Sequence, residues 1–476
     1  MISSYYPIVI VGAGMAGLAV ADTLSGNGYD ILVIDENNHT GGQLLRNREA
    51  DSSKNWSPDT MKSVGFNLIK RLKTARDITV IPRAEVLGIF PDRRLLVHTT
   101  DGPDTCREIR AGRLILATGA RERYLPFPGW TLPGVMSLGA AQILMKQHAV
   151  LPSANTLIAG SSPLMMVLAA EILSNGGKVT ALVDEKGLKD KAAFFPLIRH
   201  HWPKALEGGW YTGRMIMGRV KQYQRTRVIA AEGNNRFRTA RLASTDCEGN
   251  IIPGTEKEIP ADAMTIGYGF VPNIELGVQA GCRSVYKPEL GGWVLETTQY
   301  QTSVPGIYAV GEPTGVGGAK KSWIDGRLAA MGILKTDGKI PGGRRKQQFD
   351  ETLSHLSRQA DHQLAYAEFL NRLTALPNSA YTTIPDETLI CRCEEVTMGD
   401  IRKRITQGFD TPVVLKKATR CGMGRCQGRI CGPVTQDIIR ALTANTPSAP
   451  ATGIRARVPV KSIPAAALLS PGRDET

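Results

Sequence analysis

The feature that most constrains this chain is one stretch near its start, Pro7 to Asp35, PIVIVGAGMAGLAVADTLSGNGYDILVID. Ile8 to Val11 is a short apolar run suited to a strand buried on both faces. Gly12, Gly14 and Gly17 then make a G-x-G-x-x-G turn into a helix, and a second strand, Ile31 to Ile34, ends in Asp35, 18 residues past Gly17. Gly12 permits the tight turn, Gly14 lets the backbone approach a pyrophosphate, and Gly17 lets the helix lie close on its strand. Free N–H groups at the helix start face the phosphates. Asp35 stands where a carboxylate can hydrogen-bond a ribose 2'-OH, with Glu36 beside it. The unit therefore predicts a dinucleotide-binding half.

Residues 151–185 repeat that architecture: strand Thr156 to Ala159, turn, helix, strand Val179 to Val183, then Asp184 and Glu185. Ser162 and Met165 stand where the second and third glycines should be, so the backbone comes less close to phosphate. A second nucleotide-binding fold is expected, with NAD(P) occupancy left open; the terminal acids would suit an NAD ribose. Further along, Thr302 to Ala330 reads as a strand (Gly306 to Val310), a Gly-rich loop and a helix starting near Gly318.

Composition narrows the function classes. The chain has 476 residues, 42% of them hydrophobic, enough for two to four domains with real cores. Its longest uncharged stretch, Tyr124 to Met145, carries Pro126, Pro128 and Pro133 and cannot be a spanning helix. Met1 to Tyr6 lacks a basic signal region, so a cytoplasmic location is expected, with membrane contact only through an electron acceptor. The net charge of +14 is scattered, apart from Arg344-Arg345-Lys346, which argues against nucleic acid and for acidic subunits or electron carriers as partners.

Eight cysteines are present. Cys106, Cys247 and Cys282 are isolated and expected to be reduced, buried and inert. The other five lie between positions 391 and 431: Cys391-x-Cys393, then Cys421, Cys426 and Cys431. So many thiols in a reducing compartment imply a metal. A structural zinc in a module that merely recruits a partner is one reading, although C-x-C is short for a zinc pair. An iron-sulfur cluster is the other. Catalytic residues stay unassigned, Arg199, His200 and His201 being the nearest thing to a constellation. The stretch Phe349 to Leu376 has helical spacing of Leu353, Leu356, Leu364, Phe369 and Leu370 and is expected to pack.

Over residues 5–335 these marks resemble the thioredoxin-reductase-like class of flavoproteins. The resemblance implies an α/β fold of two Rossmann-like dinucleotide-binding domains, the FAD domain (1–125 and 262–338) interrupted by an NAD(P)-binding-like domain (126–261). It implies FAD on Gly12, Gly14, Gly17, Asp35 and Glu36, with Gly42, Gln43, Thr118 and Gly119 nearby and Gly311, Glu312 and Gly318 closing the site. The helix at Gly318 would aim its positive end at the flavin pyrimidine ring and stabilise the anionic reduced flavin. Glu312 is one methylene longer than the usual Asp. Lys320 and Lys321 either add charge there or are solvated. The class's redox C-x-x-C has no counterpart in PGWTLPGVMSLGAAQ, residues 128–142, which excludes direct thiol-disulfide reduction.

After a linker and helical segment (339–385), residues 386–445 resemble a bacterioferritin-associated-ferredoxin-like (BFD-like) [2Fe-2S] module. Cys393 and Cys426 have 32 residues between them, and Cys431 follows after four more. That resemblance implies Cys391, Cys393, Cys426 and Cys431 as ligands and Cys421 as the spare thiol. With a tail at 446–476 containing RARVPVKSIP, and with GWTLPGVMSLGAAQ, GIYAVGE, CRCEEVT and GMGRCQGRIC, nearly the whole chain resembles the A or alpha subunits of heteromeric FAD-dependent amine dehydrogenases, the group of opine oxidase, hydrogen cyanide synthase and dye-linked proline dehydrogenase. The implied partner is an FAD-containing beta subunit of the D-amino-acid-oxidase type, with a quinone or carrier as acceptor and room for a small third subunit. The implied role is an electron relay acting with CH–NH or CH–NH2 donors. Glycine oxidation by a cyanide synthase, or a stand-alone NAD(P)H-dependent reductase, are the alternatives.

Overall fold

The computed structural model describes residues 3–45, 60–99, 105–192, 196, 198–340, 342–443, 453 and 455–469. The opening strand, Tyr5–Val11, lies inside a parallel sheet in the order Ile307–Ala309, Thr105–Leu116, Tyr5–Val11, Ile31–Ile34, Ile78–Ile81. Ile10 sits opposite Val33 on one side and Ile115 on the other. Both faces of this sheet are covered, which is why the run from Ile8 to Val11 has no polar residue. The helices Met15–Leu24 and Gly318–Thr336 cover one face through Val20, Leu24, Ala329 and Ile333. The antiparallel pair Ala84–Ile89 and Arg94–Thr99 covers the other through Val86, Ile89 and Leu95.

A second, five-stranded parallel sheet has the order Lys221–Gln224, Lys178–Asp184, Asn155–Gly160, Ala263–Gly267, Val135–Ser137. The chain enters this unit through Ala120–Glu122 and leaves it through Phe270–Pro272, and the two crossings pair antiparallel with each other. The expected α/β fold of two dinucleotide-binding halves is thus present.

The helical stretch expected over Phe349 to Leu376 is a helix of 31 residues, Arg344–Thr374. Ala375, two residues before Pro377, is already extended. Its buried stripe is Leu356, Gln363, Ala367, Asn371 and Thr374. Leu364, expected to pack, is 39% exposed, because the helix turns a polar and small-residue face to the body at that end. The last unit is helical, with Met398–Thr406, Pro412–Thr419 and Cys431–Leu442. It does not hang free: Ile390, Met398, Leu415, Val434 and Ile438 share one core with Trp130, Leu157, Val183 and Tyr268 of the second nucleotide unit. Among the described residues, no helix is long and apolar enough to cross a membrane.

Candidate functional site: a nucleotide cavity walled by a cysteine domain

The first glycine turn opens on a cavity of about 1280 Å3. Gly12, Gly14, Asp35, Glu36, Gly42, Gln43, Thr118, Gly119, Glu312 and Gly318 all line it. Gly17 and Gly311 do not; they stand behind the wall. A Cβ on Gly17 would lie 1.9 Å from the Gly12 carbonyl oxygen, so this glycine lets the helix sit on its strand. A Cβ on Gly42 would lie 2.8 Å from the Gly14 Cα, so the two loops meet backbone to backbone and leave bare N–H groups beside the cavity. The size and the glycine-lined mouth fit a dinucleotide.

Two acids of this cavity also hold the backbone around them. Asp35 accepts from the Ala13 N–H at 2.6 Å and the Asn37 N–H at 2.8 Å, so each carboxylate oxygen is engaged by the turn itself. The acid beside it, Glu36, is the exposed one, and it pairs with Lys461 from the tail. Glu312 folds back on the Gly318–Thr336 helix, accepting from the Gly318 N–H at 2.7 Å, the Gly317 N–H at 3.4 Å and the Ser322 hydroxyl at 3.3 Å. Its carboxylate therefore occupies the positive helix end that was expected to face a flavin ring, and the extra methylene is what lets it reach. Burial pushes its pKa up, with Lys321 and the N–H donors pulling the other way. Lys321 is neither solvated nor a free charge: its Nζ donates to the Gly311 carbonyl at 3.0 Å and pairs with Asp325 at 2.6 Å, and it is buried.

At the second turn the expected ribose acids are spent. Glu185 makes a bidentate pair with Arg227, at 2.9–3.1 Å, with both side chains at or below 5% exposure. Burial raises the Glu185 pKa and Arg227 opposes it. The end of the long helix lies over these strand ends. Ser161 Oγ donates to the Thr374 carbonyl at 2.9 Å, and Lys186 Nζ donates to the Ala375 carbonyl at 2.7 Å. In open α/β sheets ligands bind outside the carboxyl ends of the strands. Here the Thr374 and Ala375 carbonyls take part of that place and Arg227 takes Glu185, while Ser162, Pro163 and Leu164 of the same turn line the cavity. The side chains of Arg199, His200 and His201 lie outside the described residues.

The five clustered cysteines converge. Cys391 ends the strand Leu389–Cys391, Cys393 lies in the turn to Val396–Thr397, and Cys431 opens the helix Cys431–Leu442. The Sγ atoms of Cys391, Cys421 and Cys431 lie within 4.8 Å of one another, all three residues buried. Cys426 is within hydrogen-bonding reach of both Cys431 and Cys393. The Cys421-to-Cys431 loop can close on Cys393 because residue 424 is glycine, where a Cβ would lie 2.3 Å from the Cys393 Cβ. Hydrogen bonds from Cys421 and then Cys431 hold the Cys391 thiol far below its usual range. The Cys431 thiol does the same to Cys426, bringing it to about 5. The donors are pushed up in return, Cys421 to about 12 and Cys431 well above its usual range, so the protons are shared across the cluster. Cys421, expected to be a spare, is instead inside the cluster; helix ends placed by tertiary packing, not sequence spacing, bring it there. Of the isolated cysteines, Cys106 and Cys282 are buried as expected, whereas Cys247 is exposed, in the hairpin loop closed by the Thr245–Ile251 bridge.

The model of the pyridine nucleotide-disulphide oxidoreductase family matches residues 6–330. The chain belongs to that family. A second model, of the BFD-like [2Fe-2S] binding domain, matches residues 389–441 and decides between the zinc and iron-sulfur readings of the thiol cluster. Such an oxidoreductase carries FAD in its first unit and a [2Fe-2S] cluster in the appended domain. The chain is 32% identical over 470 residues to an opine oxidase subunit of Rhizobium meliloti (strain 1021), with 97% of each chain covered. It is 29% identical over 472 residues to hydrogen cyanide synthase subunit HcnB of Pseudomonas aeruginosa, covering 98% of this chain and 99% of that one. In fold it is similar to L-proline dehydrogenase from P. horikoshii, with a TM-score of 0.66 at 20% identity, covering 98% of this chain and 79% of that one. It is also similar to T. acidophilum thioredoxin reductase, with a TM-score of 0.51 at 16% identity, covering 70% of this chain and 99% of that one.

In this family member the cluster domain is part of the cavity wall. Arg429, between Cys426 and Cys431, lines the cavity, and its carbonyl accepts from Arg121 Nε at 2.8 Å. Arg121 also donates to Asn273 at 2.7 Å and pairs with Glu275 at 2.7 Å, and these three residues line the same cavity. The tail adds a strap. Val460 donates its N–H to the Leu87 carbonyl at 2.8 Å, Lys461 reaches Glu36 and Glu85, and Ser462 Oγ donates to the Arg425 carbonyl at 2.7 Å. The strap thus joins the cysteine loop to the ribose end of the first nucleotide site. Sequence reasoning singled out neither Arg121 nor Lys461, since nothing local marks an arginine or lysine whose partners lie hundreds of residues away.

Proposed function

We propose that this chain is the electron-relay subunit of a heteromeric dehydrogenase acting on CH–NH or CH–NH2 donors. The observation that carries this reading is the Arg121 junction, which makes the backbone of the cluster loop one wall of the nucleotide cavity. When bound, FAD supplies two-electron acceptance and the [2Fe-2S] cluster one-electron transfer. The chain's own residues hold the two near each other. Gly12, Gly14, Glu36, Gly42, Gln43, Thr118 and Gly119 form the FAD cradle, with Gly17 and Gly311 supporting it from behind. Cys391, Cys393, Cys426 and Cys431 hold the cluster. Asp35 shapes the glycine turn, and Glu312 sets the charge at the Gly318 helix end.

The names of the relatives, subunits of an opine oxidase and of a hydrogen cyanide synthase, support a partner chain. That partner is read as an FAD-containing subunit of the D-amino-acid-oxidase type that oxidises the substrate, with a quinone or carrier as final acceptor. The pairing of Glu185 with Arg227 and the Thr374 and Ala375 carbonyls over Ser161 and Lys186 weigh against a self-contained NAD(P)H reductase. Co-expression with such a partner should give amine-dependent reduction of a dye and an electron paramagnetic resonance signal from the reduced cluster. Amine turnover by this chain purified alone would overturn the relay role.

A further inference from the structure

We propose that Cys421 is a fifth ligand held in reserve, placed to take over from Cys431 beside Cys391. The inference rests on the [2Fe-2S] reading and goes beyond its four-cysteine set. Two thiolates about 2.3 Å from one tetrahedral metal stand about 3.8 Å apart. Cys391, Cys421 and Cys431 lie mutually within 4.8 Å, so any two of them suit one iron with small adjustment. A [2Fe-2S] cluster takes four thiolates, two on each iron. Cys393 and Cys426, in contact with each other, supply one pair. For the other pair, Cys391 has two candidates.

Cys421 is fixed in that position and has not merely drifted near it. Its N–H donates to Thr419 Oγ1 at 3.1 Å, and it follows Arg420, whose φ of +65° ends the preceding helix and turns the next side chain inward. Its Sγ stands 3.4 Å from Thr435 Oγ1, which in turn donates to the Cys431 carbonyl at 2.8 Å. One hydroxyl thus ties the Cys421 thiol to the backbone of Cys431. The next residue is Gly422, at φ +86°, so the backbone after Cys421 passes close to the Cys431 thiol: an added Cβ there would lie 3.8 Å from Cys431 Sγ. Exchange forms an iron–sulfur bond to Cys421 and breaks the one to Cys431; the proton of the Cys421 thiol leaves with the departing Cys431 sulfur, and no electron moves.

The test uses the full chain, purified without oxygen, as wild type, Cys421→Ser, Cys431→Ser and the double variant. Iron, acid-labile sulfide and visible circular dichroism are measured, with FAD content, set by a separate site, reporting that each variant is folded. Cys421→Ser should keep its iron and its spectrum. Cys431→Ser should keep at least half its iron with an altered spectrum, and the double variant less than a tenth. Cluster loss in Cys431→Ser as complete as in the double variant would overturn the proposal, as would loss in Cys421→Ser alone. Zinc in place of iron in the unmodified chain would overturn the cofactor reading itself, and is distinguished because it needs no variant to appear.

Discussion

The cluster domain is held to the flavin domain by a buried charge pair whose removal should be measurable. Arg123, just past the first crossing strand, pairs with Asp437 on the Cys431–Leu442 helix, their side chains 16% and 6% exposed. Arg123 also donates to the Gly291 carbonyl at 3.0 Å, and Tyr381 Oη donates to Asp437 at 3.0 Å. Burial works against the Arg123 charge, but Asp437 overcomes it and holds the guanidinium above its usual range. At an effective dielectric of about 20, two charges about 4 Å apart attract by about 4 kcal/mol. Asp437→Leu leaves a buried arginine with only the Gly291 carbonyl and the Tyr381 hydroxyl to face and should cost about 3–5 kcal/mol. Arg123→Met should cost less, about 2–3 kcal/mol, because Arg440 still pairs with Asp437. Combining the two should recover about 2 kcal/mol relative to the sum. Since 1.4 kcal/mol is tenfold, Asp437→Leu should raise the rate at which a chelator strips the cluster by about a hundredfold or more, if capture goes through opening of this domain. The pH dependence has a definite sign. Burial already raises the Asp437 pKa, and losing Arg123 removes the strongest opposing influence. A raised carboxyl contributes stability that is complete below its unfolded pKa and is lost as pH rises through the folded one. The Arg123→Met defect should therefore grow from pH 5 to pH 8. Single variants costing under 1 kcal/mol, or strictly additive effects, would refute the reasoning.

Other perturbations separate the remaining parts. Gly17→Ala forces a Cβ to 1.9 Å from a backbone oxygen, and the chain should come out without FAD or insoluble, read from the absorbance of the purified protein. NADH and NADPH at millimolar concentration should leave the flavin spectrum unbleached, because Thr374, Ala375 and Arg227 hold the groups a nucleotide would need; rapid bleaching would contradict this. Lys461→Met should loosen the strap and speed FAD release a few-fold, by up to about 1 kcal/mol, an effect that fades in high salt because Glu36 is half exposed.

Much of this was legible in the sequence where the rule is local. The apolar runs and glycine turn between Ile8 and Asp35 encode strand, turn and helix within thirty residues, and the same rule finds the degraded copy at Thr156 and the helix at Gly318. What was not legible depends on partners far along the chain. Ser161 meets Thr374 across 213 residues, and Arg121 meets Arg429 across 308. Asp35 stands at the cavity as its place at the strand end implies, and it also accepts from the Ala13 N–H, a contact set by the approach of the turn rather than by residue type. Cysteine spacing located the thiol cluster, yet could not rank Cys421 against Cys431, since both are delivered by helix ends whose orientation comes from packing around Leu415 and Val434.

These long-range contacts are what the proposed relay role would require of a two-nucleotide scaffold. In such a scaffold a pyridine nucleotide would enter over the carboxyl ends of the second sheet. In this chain those ends are partly covered by the Arg344–Thr374 helix, and the unit behind them shares its core with the cysteine domain. The second unit has thus become a platform for the cluster, carrying Trp130, whose indole N–H donates to the Leu389 carbonyl at 2.8 Å, two residues before Cys391. With the Thr374 end of the long helix over part of that entrance and the cluster loop seated on the cavity wall through Arg121, the proposed partner subunit would dock at the open mouth of the cavity.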